Sequence, residues 1–159
     1  MPLANLLFCW ACRHPIAELA INLQSFLKLS AIPYCSTFQG PGLWASPEHF
    51  VGRVGLFRNQ PADRLLDAAD CVITVGFDAI EYDPSLWNSG NHRPLVAIDV
   101  QSIQQDQAFL PAAELIGDLA GTLDALAPQL NVSVQEAFRS SSEALSAEVR
   151  ATAAEGASM

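Results

Sequence analysis

Asp70-Cys71-Val72-Ile73-Thr74-Val75-Gly76 is the stretch on which the fold turns. Cys71 to Val75 is apolar on both strand faces, rich in β-branched residues and closed by glycine, as a strand buried on both sides requires. Immediately before it, Gln60-Pro61 opens a helix that carries Leu65, Leu66 and Ala69 and ends at Asp70. A helix that delivers the chain into a doubly buried strand is the repeating unit of a parallel sheet. The same alternation extends to both sides. Leu6 to Ala11 is a compact apolar run that stops at Arg13-His14-Pro15. It is followed by Ile16, Leu19, Ala20, Leu23, Phe26 and Leu27, whose spacing places one apolar stripe on a helix ending near Ser30. Ile32 to Thr37 reads as a strand closed by Gln39-Gly40-Pro41-Gly42, and Ser46-Pro47-Glu48 predicts the start of a short helix. Phe77 to Gly90 reads as a long polar and aromatic connection. Leu95 to Val100 is a buried strand behind the turn Asn91-His92-Arg93-Pro94. Leu115-Ile116 is a last edge strand, and Asp118 caps a helix bearing Leu119, Leu123, Leu126 and Leu130. The expectation is an α/β fold with a mostly parallel sheet covered on both faces.

Half of the 159 residues are hydrophobic, which is enough for one sizeable core. One domain over residues 1–130 is expected. Residues 131–159, rich in Ser, Ala and Glu, then form a linker or a helical tail without a partner, disordered at its end. Eight Lys and Arg stand against 17 Asp and Glu, a formal charge of −9, so the chain repels a phosphate backbone. Nucleic acid is excluded as a partner. Lys28 is the sole lysine, which leaves no basic face for an anionic membrane. The apolar run from Ala4 to Cys12 is short and lacks the positive flank of a signal peptide, so a cytoplasmic protein is expected. Cys9, Cys12, Cys35 and Cys71 lie in or beside apolar stretches, as reduced buried thiols do. Asn131-Val132-Ser133 fits a glycosylation sequon without a secretory context.

Cys9-Trp10-Ala11-Cys12, between a strand and a helix, has the spacing of a redox-active thiol pair with lowered pKa. Taken alone it points to a thioredoxin-like oxidoreductase; the plainer reading is two small side chains packed at a strand end. His14, His49 and His92 each sit near a turn and share no metal-ligand spacing. Asp78, Glu81 and Asp83 cluster after the Val75 strand, where doubly wound folds place ligand contacts, and fit a solvated acidic loop equally well. Such a ligand site at the sheet's switch point would make the chain a free-standing binding module. Gly52-Arg53-Val54-Gly55 lacks the third glycine of a dinucleotide fingerprint, and no phosphate-loop lysine exists.

Three longer stretches carry a resemblance. Phe50-Val51-Gly52-Arg53-Val54-Gly55-Leu56-Phe57-Arg58-Asn59-Gln60-Pro61-Ala62-Asp63-Arg64-Leu65-Leu66 is the longest. Val75-Gly76-Phe77-Asp78-Ala79-Ile80-Glu81-Tyr82-Asp83-Pro84 with Leu86-Trp87-Asn88 is the second. Ile98-Asp99-Val100 followed by Glu114-Leu115-Ile116-Gly117-Asp118 is the third. In order and spacing, from about Leu6 to about Leu130, the chain resembles the central domain of the catabolic, flavin-independent acetolactate synthases, which are thiamine-diphosphate-dependent. Cys9-Trp10-Ala11-Cys12 departs from the plainer strand end of that family.

The resemblance implies a three-layer, Rossmann-like doubly wound sheet of about six strands. It implies neighbours as well: a pyrimidine-binding and a pyrophosphate-binding domain, usually in a homo-oligomer. The family's reaction condenses two pyruvates to 2-acetolactate with loss of carbon dioxide. Its activating glutamate and its magnesium- and diphosphate-holding Gly-Asp-Gly motif lie in those other two domains, and Gly117-Asp118-Leu119 lacks the second glycine. By itself, therefore, the chain is expected to hold no catalytic, cofactor-binding or metal-binding residues, to bind neither thiamine diphosphate nor Mg2+, and to represent a fragment or separately made domain. FAD is not expected either, because Phe77 to Tyr82 replaces the basic segment of the flavin-dependent relatives. Leu56, Phe57, Arg58, Asn59 and Gln60 would stand at the active-site edge of the intact enzyme; they also fit a plain helix-entry loop.

Overall fold

A computed structural model describes residues 6–10, 16–38, 40, 47–90, 92–103, 108–129 and 136–156. Six parallel strands form one sheet: β1 (Leu6–Trp10), β2 (Tyr34–Thr37), β3 (Phe50–Val54), β4 (Cys71–Val75), β5 (Leu95–Asp99) and β6 (Ala113–Ile116). Their order is β3-β2-β1-β4-β5-β6, with parallel register at every junction. The chain winds outward from β1 in one direction and from β4 in the other, so the two halves part at the β1–β4 seam. This is the doubly wound architecture that the resemblance implies.

Two apolar layers cover the sheet. On one face α1 (Ile16–Ser30) and α4 (Leu119–Leu126) bury Leu19, Leu23, Phe26, Leu27, Leu119 and Leu123 against Tyr34, Cys71, Ile73, Val75 and Ile98. On the other face α2 (Pro61–Ala68) and α3 (Pro84–Trp87) set Leu65, Leu66 and Trp87 against Cys35, Val51, Val72 and Leu95. All five residues of β4 are buried, consistent with its central place. The Cys71 thiol is pushed up to about 11, first by burial and then by the neighbouring Asp70 carboxylate. The expected N-cap of α4 is in place: Gly121 N–H donates to Asp118 Oδ2 at 2.7 Å.

Several elements differ from expectation. Pro47 to His49 form a turn rather than a helix start, and the chain then enters β3. This strand escapes a hydrophobicity reading because it is an edge strand: Arg53 faces out and Gly52 interrupts the apolar run. Gly52 adopts φ +107° where the pairing with β2 slips between Tyr34 and Ser36, a bulge that needs glycine. Within the Phe77 to Gly90 connection, α3 is a single turn started by Asp83, whose Oδ1 accepts from Ser85 N–H at 2.9 Å. Hydrogen bonds from the Ser85 N–H and from its side chain also hold the Asp83 carboxyl below the usual carboxylate range.

The largest departure is at the C-terminal end. Glu136–Gly156 forms α5, and it has a partner: it packs along β3 and α2, with Phe138 buried in the α2-side core. Ser146 Oγ and Arg150 Nη1 both donate to the Pro47 carbonyl, at 2.9 and 2.8 Å. Glu148 takes a two-pronged bond from Arg64 of α2, at 2.9 and 2.7 Å. A helix here is one of the two expected readings; what alanine and serine disguise is its packing, since its buried stripe sets Ser142 and Ser146 beside Phe138. The packed unit thus continues past residue 130, although the segment's composition changes there.

Phe138→Ala should lower unfolding free energy by about 3–5 kcal/mol. Glu148→Gln, which breaks a half-exposed ion pair, should cost less than about 1 kcal/mol. Urea unfolding of the two variants checks both values; a negligible loss with Phe138→Ala would mean that α5 does not share the core.

Candidate functional site

In a sheet of this order, groups that follow the carboxyl ends of the strands converge on one edge. Two of these loops are described in detail: Gly55 to Gln60 after β3, and Gly76 to Asp83 after β4. They touch. A Cβ built at Gly55, whose φ is +100°, would lie 2.8 Å from the Glu81 carbonyl oxygen, so only glycine lets the loops approach this closely. Asn59 also takes a left-handed conformation, φ 64°, immediately before α2.

Asp63 joins the loops from beneath. It is the third residue of α2, and its Oδ2 accepts from Gln60 N–H at 2.9 Å, fixing the helix entry. Its Oδ1 accepts from the Tyr82 hydroxyl at 2.6 Å, in a site where both side chains are buried. Burial, the hydrogen bond to Asp63 and repulsion from that carboxylate all raise the Tyr82 hydroxyl far above its ordinary pKa, while Arg58 acts in the opposite sense. The tyrosine therefore stays protonated and keeps donating. An aromatic floor supports the second loop: Phe77 stacks on Phe109 at 5.2 Å and meets Trp87 edge-on at 5.8 Å. Trp87 stacks on Tyr82 at 6.3 Å, and Asn88 Nδ2 donates to the Ala108 carbonyl at 2.8 Å. Arg93, also buried, donates through Nη1 to the Leu66 carbonyl at the end of α2, and burial lowers its pKa despite nearby Asp67.

Above this rigid base the side chains are apolar and exposed. Phe38 follows β2, Leu56 and Phe57 follow β3, Ile80 follows β4, Val100 follows β5, and Ile116 closes β6. Leu56 and Phe57 are 58% and 69% exposed and Ile80 is 93% exposed, so the edge is an apolar rim on these two touching loops. Arg58, Asn59 and Gln60 are exposed beside it. The Leu56 to Gln60 segment thus does lead into a helix, and it does so on the rim.

The other sequence candidates do not assemble there. Asp78 Oδ1 accepts from Ile80 N–H at 2.9 Å, and Asp83 and Asp118 cap helices, so these carboxylates finish turns. Among the described residues no three His, Cys, Asp or Glu side chains are placed to hold a metal ion. The donor set does not fit a magnesium–diphosphate group, and no chemical step can be derived through one. His49 is a turn residue whose carbonyl accepts from Tyr34 N–H at 2.9 Å. His92 Nδ1 bonds the Ser89 carbonyl at 3.0 Å, and its Nε2 accepts from Arg93 at 3.2 Å. Cys9 belongs to strand β1, while Cys12 and His14 lie outside the described residues. Cys35 and Cys71 are buried and form no disulfide among the described residues. The Asp63–Tyr82 clamp was not among the sequence candidates. Its local half was detectable, because Asp63 stands three residues after Gln60 as a capping box requires; its distant half was not.

Residues 16–126 match the family described as thiamine pyrophosphate enzyme, central domain, and the chain belongs to it. Within that family it is similar to acetolactate synthases. It is 40% identical to "Acetolactate synthase" of Bacillus subtilis (strain 168) over 104 residues, 64% of this chain and 18% of that protein. It is 48% identical to "Acetolactate synthase, catabolic" of Raoultella terrigena over 81 residues, 51% of this chain and 14% of the relative. The match thus spans less than a fifth of either relative's length. Among the described residues no helix is long and apolar enough to cross a membrane.

Tyr82→Phe should destabilise the fold by about 1–3 kcal/mol, because it leaves a buried carboxylate oxygen without its donor. Alkali should weaken the native protein too. Cys71 is protonated up to about pH 11 when folded but ionises near the ordinary thiol value of 9.0 when unfolded, so its contribution is complete below pH 9 and lost as pH rises through 11. Urea midpoints measured from pH 8 to 11 should fall, and Cys71→Val should flatten the decline; an unchanged slope in the variant would refute this assignment.

Proposed function

We propose that the chain is the central, structural domain of a thiamine-diphosphate-dependent acetolactate synthase. In that role it holds the pyrimidine- and pyrophosphate-binding domains in position, forms a wall at the substrate entrance through Leu56 to Gln60, and contributes to subunit contacts in a cytoplasmic homo-oligomer. The intact enzyme condenses two pyruvates to 2-acetolactate and carbon dioxide, with thiamine diphosphate and Mg2+ held by the other two domains.

The observation that carries this reading is the apolar rim on a preformed loop pair. Exposed Leu56, Phe57 and Ile80 are costly on a free surface and favourable at an interface. The loops that carry them are already fixed by Asp63, Tyr82 and Gly55, so docking would not have to order them. Such an arrangement serves assembly rather than proton transfer. A chain of charge −9 also offers poor electrostatic support for a pyrophosphate. The loop from Phe77 to Asp83 contains no cation of its own for a flavin phosphate.

The purified chain should bind neither thiamine diphosphate with Mg2+ nor FAD, and should form no acetolactate from pyruvate. Calorimetric titration with cofactor and metal together, followed by a product assay at high protein concentration, tests this. Micromolar cofactor affinity, or product that disappears in Glu81→Gln, would make the chain an enzyme in its own right. A yellow protein with stoichiometric flavin would overturn the flavin-independent assignment.

A further inference from the structure

We propose that the half-open cavity lined by α1, the β2–β3 edge and α5 is a binding site for a small amphipathic carboxylate, with Arg53 as the group that takes its charge. The cavity measures about 410 Å³, within the usual range for small-molecule sites. Its floor is apolar and buried: Leu23 and Leu27 from α1, and Tyr34 from β2. Its outer wall is α5, through Val149, Thr152 and Ala153. That wall lies outside residues 16–126, so the cavity is not explained by membership of the central-domain family.

Charge at the opening selects the ligand class. Two charged side chains line the cavity, Arg53 and Glu148. Glu148 is already neutralised by the two-pronged bond from Arg64, at 2.7 and 2.9 Å. The Thr152 hydroxyl is turned inward to the Glu148 carbonyl of its own helix, at 3.1 Å. Arg53 is exposed and forms no ion pair among the described residues, so the opening is effectively cationic in a chain that is otherwise acidic. An apolar floor with one unpaired guanidinium at its mouth fits a ligand with a hydrocarbon body and one terminal carboxylate. A neutral alcohol of the same length would satisfy the floor but not Arg53. A phosphate or a dicarboxylate would leave charge over Leu23, Leu27 and Tyr34.

The test uses the full chain with decanoate as probe and decanol as its uncharged counterpart, by calorimetric titration below the micelle concentration of the first and the solubility limit of the second. Decanoate should bind saturably at one site per chain. Arg53→Gln should weaken decanoate by at least about tenfold, the loss of one charge-assisted bond, and leave decanol unchanged. Thr152→Trp, on the face of α5 that lines the cavity, should fill it and abolish binding of both. Absence of saturable decanoate binding to the native chain would overturn the proposal, as would equal affinity in Arg53→Gln or undiminished binding in Thr152→Trp.

Discussion

One buried carboxylate sets the terms for the carboxyl edge of this domain. Asp63 sits 8% exposed in the first turn of α2, and a carboxyl group there is tolerated only if both oxygens find donors. The Gln60 N–H and the Tyr82 hydroxyl are those donors, and they come from different loops. Satisfying Asp63 therefore fixes the distance between the segment after β3 and the segment after β4. The helix N-terminus adds a favourable dipole to the same carboxylate. Gly55 completes the constraint from above, since its missing side chain is what allows the Glu81 carbonyl to close on it.

The far edge of the sheet is governed by a different problem. An unprotected β3 would present unpaired backbone groups to solvent and to other chains. In this protein α5 lies over that edge, with Val149 3.3 Å from where a Gly52 side chain would begin and two donors on the Pro47 carbonyl. The Gly52 bulge and the α5 crossing are thus coupled features: a larger residue at position 52 would strain the backbone and displace the helix. What reads as a tail in composition is the cover of the sheet in space.

The parts of the fold that were legible in the sequence are those whose physics is local. β4 and β5 announce themselves because burial on both faces demands unbroken apolar runs, and α1 does so because its buried stripe is leucine and phenylalanine. β3 and α5 escape the same reading because one is an edge strand holding Gly52 and Arg53, and the other buries serine. The Leu56 to Gln60 segment is singled out in the sequence by resemblance, not by pattern: nothing local distinguishes an exposed Phe57 from a buried one. Tyr82 and Asp63 are 19 residues apart and meet only when β3 and β4 are laid into the same sheet.

The distribution of exposed apolar side chains argues for what the two edges are for. On α1, Ile21 and Leu29 are each 72% exposed but stand two turns apart on one helix, the scatter that any soluble surface shows. On the carboxyl rim, Leu56, Phe57 and Ile80 come from loops held in contact by a buried hydrogen bond. Burying a side chain of this size contributes about 1.5–3 kcal/mol, and little of that is offset when the backbone beneath is already fixed. Flexible loops would lose much of the gain in ordering. Rigidity and exposed apolar surface therefore reinforce one another at this edge, and their combination supports a surface shaped for association. The α5 side is its complement: there the apolar surface is enclosed by the chain itself, and charge is left at the opening.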